Sequence, residues 1–80
     1  MIKVKIKKVY YNSYAIIYPI DYLVLNNIYY YLVLIANKDG IVYDTILLPP
    51  SKYKQTKRSF TIYHTDGEPE VFYIVDNNTP

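Results

Sequence analysis

Hydrophobic and polar residues alternate with a period of two along most of this chain, a pattern typical of β-strands. In the first seven residues, isoleucine and valine alternate with Lys3, Lys5 and Lys7. This predicts a strand with one apolar and one cationic face. A bulge at Lys7 and Lys8 would return Val9 to the apolar side.

Turn residues divide the next part of the chain. Asn12 and Ser13 predict a turn, and residues 14–18 predict a second strand. We expect this strand to end near Pro19, because proline cannot donate a hydrogen bond to a sheet. Residues 20–25 are a third apolar run, and the pattern leaves open whether they form a strand, a helical turn or a loop.

The strongest local prediction is a hairpin in the middle of the chain. Six of the nine residues at 28–36 are β-branched or aromatic, which favours a strand. The sequence Asn-Lys-Asp-Gly at 37–40 suits a type I turn closed by a bulge, since Gly40 tolerates a positive φ. Residues 41–48 then form the return strand.

A second hairpin is predicted near the carboxyl end. Two prolines stop the preceding strand, and residues 51–58 form a polar, basic connection in which 51–56 could be strand, helical turn or loop. Two alternating strands follow, at 59–65 and 70–75, with a turn at 66–69 between them.

Together these signals predict one all-β domain over residues 1–80, with 77–80 as a flexible tail. About five to six short antiparallel strands, joined by short hairpins, favour a small barrel or sandwich. Eighty residues are too few for a second domain.

Composition excludes several kinds of chemistry. The chain has no cysteine, so disulfide frameworks, thiol catalysis and cysteine-ligated zinc are impossible. Its two glycines are too few for a phosphate-binding loop. The one histidine, His64, has Thr65 and Asp66 as neighbours, and adjacent strand residues point apart. Asp66, Glu68 and Glu70 lack the spacing of a calcium loop. We therefore predict no enzyme activity, no catalytic residue, no cofactor and no metal site.

The positive charges suggest a first function. Net charge is only +2, yet eight of the nine basic residues fall in two short segments. Alternating lysines can follow a phosphate backbone, and aromatic rings between cations can stack on bases. The predicted nucleic-acid-binding residues are Lys3, Lys5, Lys7, Lys52, Tyr53, Lys54, Lys57, Arg58 and Phe60. The alternative is that these charges only solubilise the chain and protect a sheet edge.

The alternative function is a protein–protein interaction or self-assembly module. Residues 28–36 are apolar on both faces, which exposes one face unless something covers it. The predicted interface is the face formed by Tyr29, Tyr31, Val33 and Ile35. Expected partners are a second copy of the chain, as a dimer, or a host protein.

The remaining expectations concern location and source. The longest uninterrupted apolar run is far shorter than the ~20 residues of a membrane span, and no secretory signal is evident. We therefore expect a cytoplasmic protein with no membrane partner and no small-molecule substrate. Abundant tyrosine, isoleucine, lysine and asparagine favour an AT-rich genome. We hypothesise a thermophilic archaeon, or one of its viruses or plasmids, as the source.

Overall fold

A computed structural model describes residues 8–74 of the chain. They form seven strands and one short 3₁₀ helix. The elements are β1 (Tyr10–Tyr11), β2 (Ile16–Leu25), β3 (Ile28–Ala36), β4 (Val42–Leu48), the 3₁₀ helix Pro50–Lys52, β5 (Tyr53–Gln55), β6 (Ser59–Ile62) and β7 (Glu70–Ile74). All pairs are antiparallel, and the strands form one sheet in the order β4-β3-β2-β1-β7-β6-β5.

The predicted all-β, antiparallel fold is confirmed, with seven strands in place of five to six. Within residues 8–74 the strands form a single open sheet, so the finer prediction of a barrel or sandwich is not confirmed. The predicted strand through Lys3, Lys5 and Lys7, and the predicted tail at 77–80, lie outside the described residues.

The main error in predicting the strands concerns Pro19. Strand β2 continues through this residue to Leu25, so residues 20–25 are strand. The pairing of β2 with β3 shifts register between Pro19 and Asp21, which marks a bulge. A bulge is one of the few places in a sheet where proline is tolerated, so the strand bends at this point and continues.

Strand β3 lies between two turns that contain residues with positive φ angles. Asn26 and Asn27, with φ of 52° and 66°, join β2 to β3. At the other end, the Gly40 N–H donates to the Asn37 carbonyl over 2.9 Å, and Gly40 has a φ of 84°. The turn predicted at 37–40 and the strands on both sides of it are therefore confirmed.

The sheet bends round on itself. Its two outer strands, β4 and β5, are separated by only residues 49–52, so the two ends of the sheet lie close together. The bend brings the Tyr31 ring of β3 to a centroid distance of 5.3 Å from Tyr53 of β5 and 5.7 Å from Phe60 of β6. Residues 51–56, left open by sequence, are thus the end of the 3₁₀ helix, then β5, and then Thr56 in the turn before β6.

The hydrophobic core fills the concave side of this bend. It draws side chains from six strands and from the turn before β2. The core residues are Tyr10, Ala15, Ile17, Val33, Leu48, Phe60, Ile62 and Phe72. Because the side chains that meet here are far apart in sequence, the core holds the two halves of the sheet together.

Candidate interaction surfaces

The basic segment at 52–58 is divided between different parts of the molecule. Lys54 is exposed on β5, and Lys57 and Arg58 are exposed in the turn that leads to β6. Lys52 lies at the other end of β5, where its Nζ is 3.4 Å from the Thr65 Oγ1. The predicted contacts of Lys3, Lys5 and Lys7 lie outside the described residues.

The two aromatic residues predicted to stack on bases both point inward. Phe60 has 0 % exposure and belongs to the core, so it is not available to a base. Tyr53 is half-buried and stacks on Phe60, with ring centroids 5.5 Å apart and planes at 8°. The prediction that Phe60 binds nucleic acid is therefore wrong. The reason is that β5 and β6 turn this face toward β3.

A cluster of tyrosines lies where the two halves of the sheet meet. Tyr22 stacks on Tyr31 at a centroid distance of 4.5 Å, and the Tyr53 hydroxyl donates to the Tyr22 hydroxyl over 3.5 Å. Burial, followed by the contacts with Tyr22, raises the pKa of Tyr53 to about 12. Burial is also the main cause of the raised pKa of Tyr31. The cluster therefore favours neutral hydroxyls.

The predicted interface on β3 is mostly inside the protein. Val33 has 0 % exposure, and Tyr31 and Ile35 pack against the core. Of the four residues predicted there, only Tyr29 is largely exposed, at 62 %. The prediction is wrong for Val33, because this face of β3 is the concave one that covers β6.

The most exposed apolar surface is instead the end of the β2–β3 hairpin. Strand β4 pairs with β3 only from Tyr31 onward, and β1 pairs with only Ile16 and Ile17 of β2. Residues 23–30, called the arm below, therefore extend as two strands alone in the part of the chain that the structure describes. The exposed apolar residues of the arm are Leu23, Val24, Leu25, Ile28 and Tyr29.

The arm is apolar on both faces and carries no charge. Leu23, Val24 and Leu25 are consecutive and all exposed, and successive side chains on a strand point to opposite faces. Residues 22–37 contain no acidic, basic or histidine side chain. Such a surface is unusual in a protein with no partner.

A cleft of about 530 Å³, which the sequence analysis did not predict, lies between β4 and residues 62–65. Its floor is apolar and includes the core residues Ile62 and Phe72. Its rim is polar and carries Asp44, Lys52 and His64. A cleft of this size falls within the range of ligand sites, about 300–1,000 Å³.

A side-chain network holds one wall of this cleft. The His64 Nε2 lies 3.1 Å from the Glu70 Oε1, and the Asn12 Nδ2 donates to the Glu70 Oε2 over 3.1 Å. Along the chain, only Thr65 and Asp66 stand beside His64 as candidate partners. Glu70 pairs with Ile62 across the β6–β7 hairpin, so His64, two residues further on, reaches it diagonally. The hairpin register is the signal that could have revealed this pair.

Comparison of the chain with protein-family models, with curated proteins and with solved structures finds no match in any of the three. Over residues 8–74, no helix has the length and hydrophobicity that a membrane crossing requires. Function must therefore be argued from the surfaces described above.

Proposed function

We propose that this chain is a non-enzymatic protein-interaction module that binds through the arm. The observation that carries the proposal is the exposure of large apolar side chains on both faces of a two-stranded, uncharged hairpin. An isolated pair of strands is only marginally stable in water, so a covering partner would stabilise the arm. Burial of each large apolar side chain contributes about 1.5–3 kcal/mol.

The partner we propose is a second copy of the chain. A two-fold contact joins the same surface patch of both copies, so a charge in the patch would be buried without an opposite charge unless the patch itself supplied one. The arm contains none, which makes it suited to a symmetric dimer. A host protein with an apolar groove is the other possible occupant.

Sedimentation equilibrium tests this proposal. At about 1 mM, association of only ~4 kcal/mol already populates a dimer. We expect the wild-type chain to be dimeric and Leu25→Lys to be monomeric. Ile41→Lys is the matched control, because Ile41 is exposed in the turn after β3 and outside the arm. A monomeric wild-type chain would exclude the second copy as the partner.

Nucleic-acid binding is the second candidate. Lys54, Lys57 and Arg58 support it, because they are exposed and none lies within 4 Å of a carboxylate among the described residues. Three contacts with the phosphates of a single-stranded nucleic acid predict a salt-dependent association constant K. A plot of log K against the logarithm of the salt concentration should have a slope of about −2.

Filter binding with poly(dT) over a salt series measures this slope. Lys57→Gln should weaken binding, and it should make the slope shallower by the amount that one phosphate contact contributes. Lys38→Gln is the control, since Lys38 is an exposed cation in the 37–40 turn. A salt-independent affinity would contradict phosphate contacts.

A further inference from the structure

The cleft lies between the edge of strand β4 and residues 62–65, the segment that leaves β6. Strand β4 is the last strand of the sheet and pairs only with β3 within residues 8–74. Its side chains that line the cleft include the consecutive Leu47 and Leu48 and the alternating Asp44 and Ile46. Successive side chains of a strand point to opposite faces. Consecutive residues therefore line the same space when the backbone edge of the strand faces that space.

The opposite wall is the segment that leaves β6. Residues 62–65 all line the cleft, and of these only Ile62 belongs to a strand. The Tyr63 N–H donates to the Lys52 carbonyl over 2.9 Å, so the start of this segment is hydrogen-bonded to the end of the 3₁₀ helix. The cleft is therefore a gap in a bent sheet, between β4 and the segment that follows β6.

An extended chain is the occupant that fits the unpaired edge of β4. Backbone N–H and C=O groups along a free edge form hydrogen bonds to another strand, and a strand inserted here would lie beside β4. Its alternate side chains would contact the apolar floor at Ile62 and Phe72. A compact small molecule would leave the regularly spaced backbone groups of β4 unused.

Charge adds a second requirement. Lys52 lines the cleft next to Pro49, and in the described part of the chain no carboxylate lies within 4 Å of its ammonium group. The two oxygens of Glu70 are already engaged by His64 and Asn12. Asp44, the other acidic residue on the rim, lies four residues before Leu48 on β4, whereas Lys52 follows β4. A carboxylate on the occupant would therefore complement Lys52 at that end of the cleft.

We infer that this cleft binds an extended segment of a partner protein by adding a strand to β4. The segment has apolar side chains at alternate positions and a carboxylate beside Lys52. The site is separate from the arm, so this inference goes beyond the proposed self-association.

The probes are two capped six-residue peptides of alternating valine and threonine. One carries an aspartate at its amino end and the other carries an aspartate at its carboxyl end. The same peptides with asparagine measure the contribution of the charge. NMR chemical shifts and amide hydrogen exchange of the ¹⁵N-labelled full chain report where they bind. We expect one of the aspartate peptides to change the chemical shifts of residues 44–48 and 62–65. It should also slow the hydrogen exchange of alternate amides in β4. N-methylation of alternate peptide nitrogens should abolish binding.

The charge contact is tested by Lys52→Gln, with Lys54→Gln as the control because Lys54 is exposed and does not line the cleft. We expect the wild-type chain and Lys54→Gln to prefer the aspartate peptide over its asparagine counterpart by about two- to fivefold, and Lys52→Gln to lose that preference. Perturbations confined to the arm would overturn the inference, as would binding unaffected by N-methylation. Concentration-dependent protection of β4 without peptide would also overturn it, because the occupant would then be a second copy. Dimerisation through the arm is measured separately, so either proposal can fail alone.

Discussion

The Tyr53 ring stacks on the Phe60 ring with centroids 5.5 Å apart and planes at 8°. The two residues lie on neighbouring strands and belong to the segment whose cations and rings suggested nucleic-acid binding. This stacking places the Phe60 ring in the core and the Tyr53 ring against it. The exposed cations, Lys54, Lys57 and Arg58, are left on the outside without the two rings that were predicted to stack on bases.

Truncation of Phe60 should remove a large part of the free energy of unfolding. The ring has 0 % exposure and contacts Tyr10, Tyr31 and Tyr53. We expect Phe60→Ala to cost about 3–5 kcal/mol, measured by urea denaturation. Phe60→Leu keeps most of the volume and should cost clearly less. Equal losses for the two variants would contradict the tight packing described here.

Stability should fall at alkaline pH because of Tyr53. The pKa of Tyr53 is raised from 10.0 to about 12 in the folded chain, so the unfolded chain releases this proton first. The stabilisation is complete below the unfolded pKa and is lost as pH rises from about 10 to about 12. Urea denaturation across this range should give a shallower decline for Tyr53→Phe. An unchanged decline would show that Tyr53 is not responsible.

The Asn12 side chain stabilises the turn between β1 and β2. Its Oδ1 accepts hydrogen bonds from the Tyr14 and Ala15 N–H groups at 2.7 and 2.8 Å, and its Nδ2 donates to Glu70. We expect Asn12→Ala to lower the free energy of unfolding by about 1–3 kcal/mol. Asn12→Asp keeps the turn contacts but replaces the bond to Glu70 by repulsion between two carboxylates. Added salt should therefore reduce the loss for Asn12→Asp, and a neutral Asn12→Ala would refute this role.

A substitution in the turn at the tip of the arm can increase the stability of the chain. Asn26 and Asn27 both have positive φ, the conformation of a type I′ turn, which favours Asn-Gly. We expect Asn27→Gly to stabilise the chain by roughly 0.5–1 kcal/mol and Asn27→Val to destabilise it by about 1–2 kcal/mol. Thermal unfolding should show shifts of about 4–8 °C per kcal/mol, in opposite directions. Shifts in the same direction would contradict the turn.

Local rules predicted the strands well where turn chemistry is strong. Gly40 and Asn37 fixed the β3–β4 hairpin, because glycine adopts positive φ at low cost and the Asn37 Oδ1 accepts from the Asp39 and Ile41 N–H groups. The rule that proline ends a strand failed at Pro19, since a bulge accommodated it. The pair of His64 and Glu70 was missed because it depends on the register of two strands and not on adjacency in the chain.

By itself, the sequence determined that the chain is antiparallel β-sheet and that its middle strand is apolar on both faces. It did not determine which face of β3 points inward, because Tyr29, Val33 and their neighbours on the other face are equally apolar. That choice was made by the bend that brings β5 and β6 against β3, burying Val33 and Phe60 while the arm stays exposed. The two-residue period fixes alternation within a strand, whereas contacts between distant strands decide which side becomes the core.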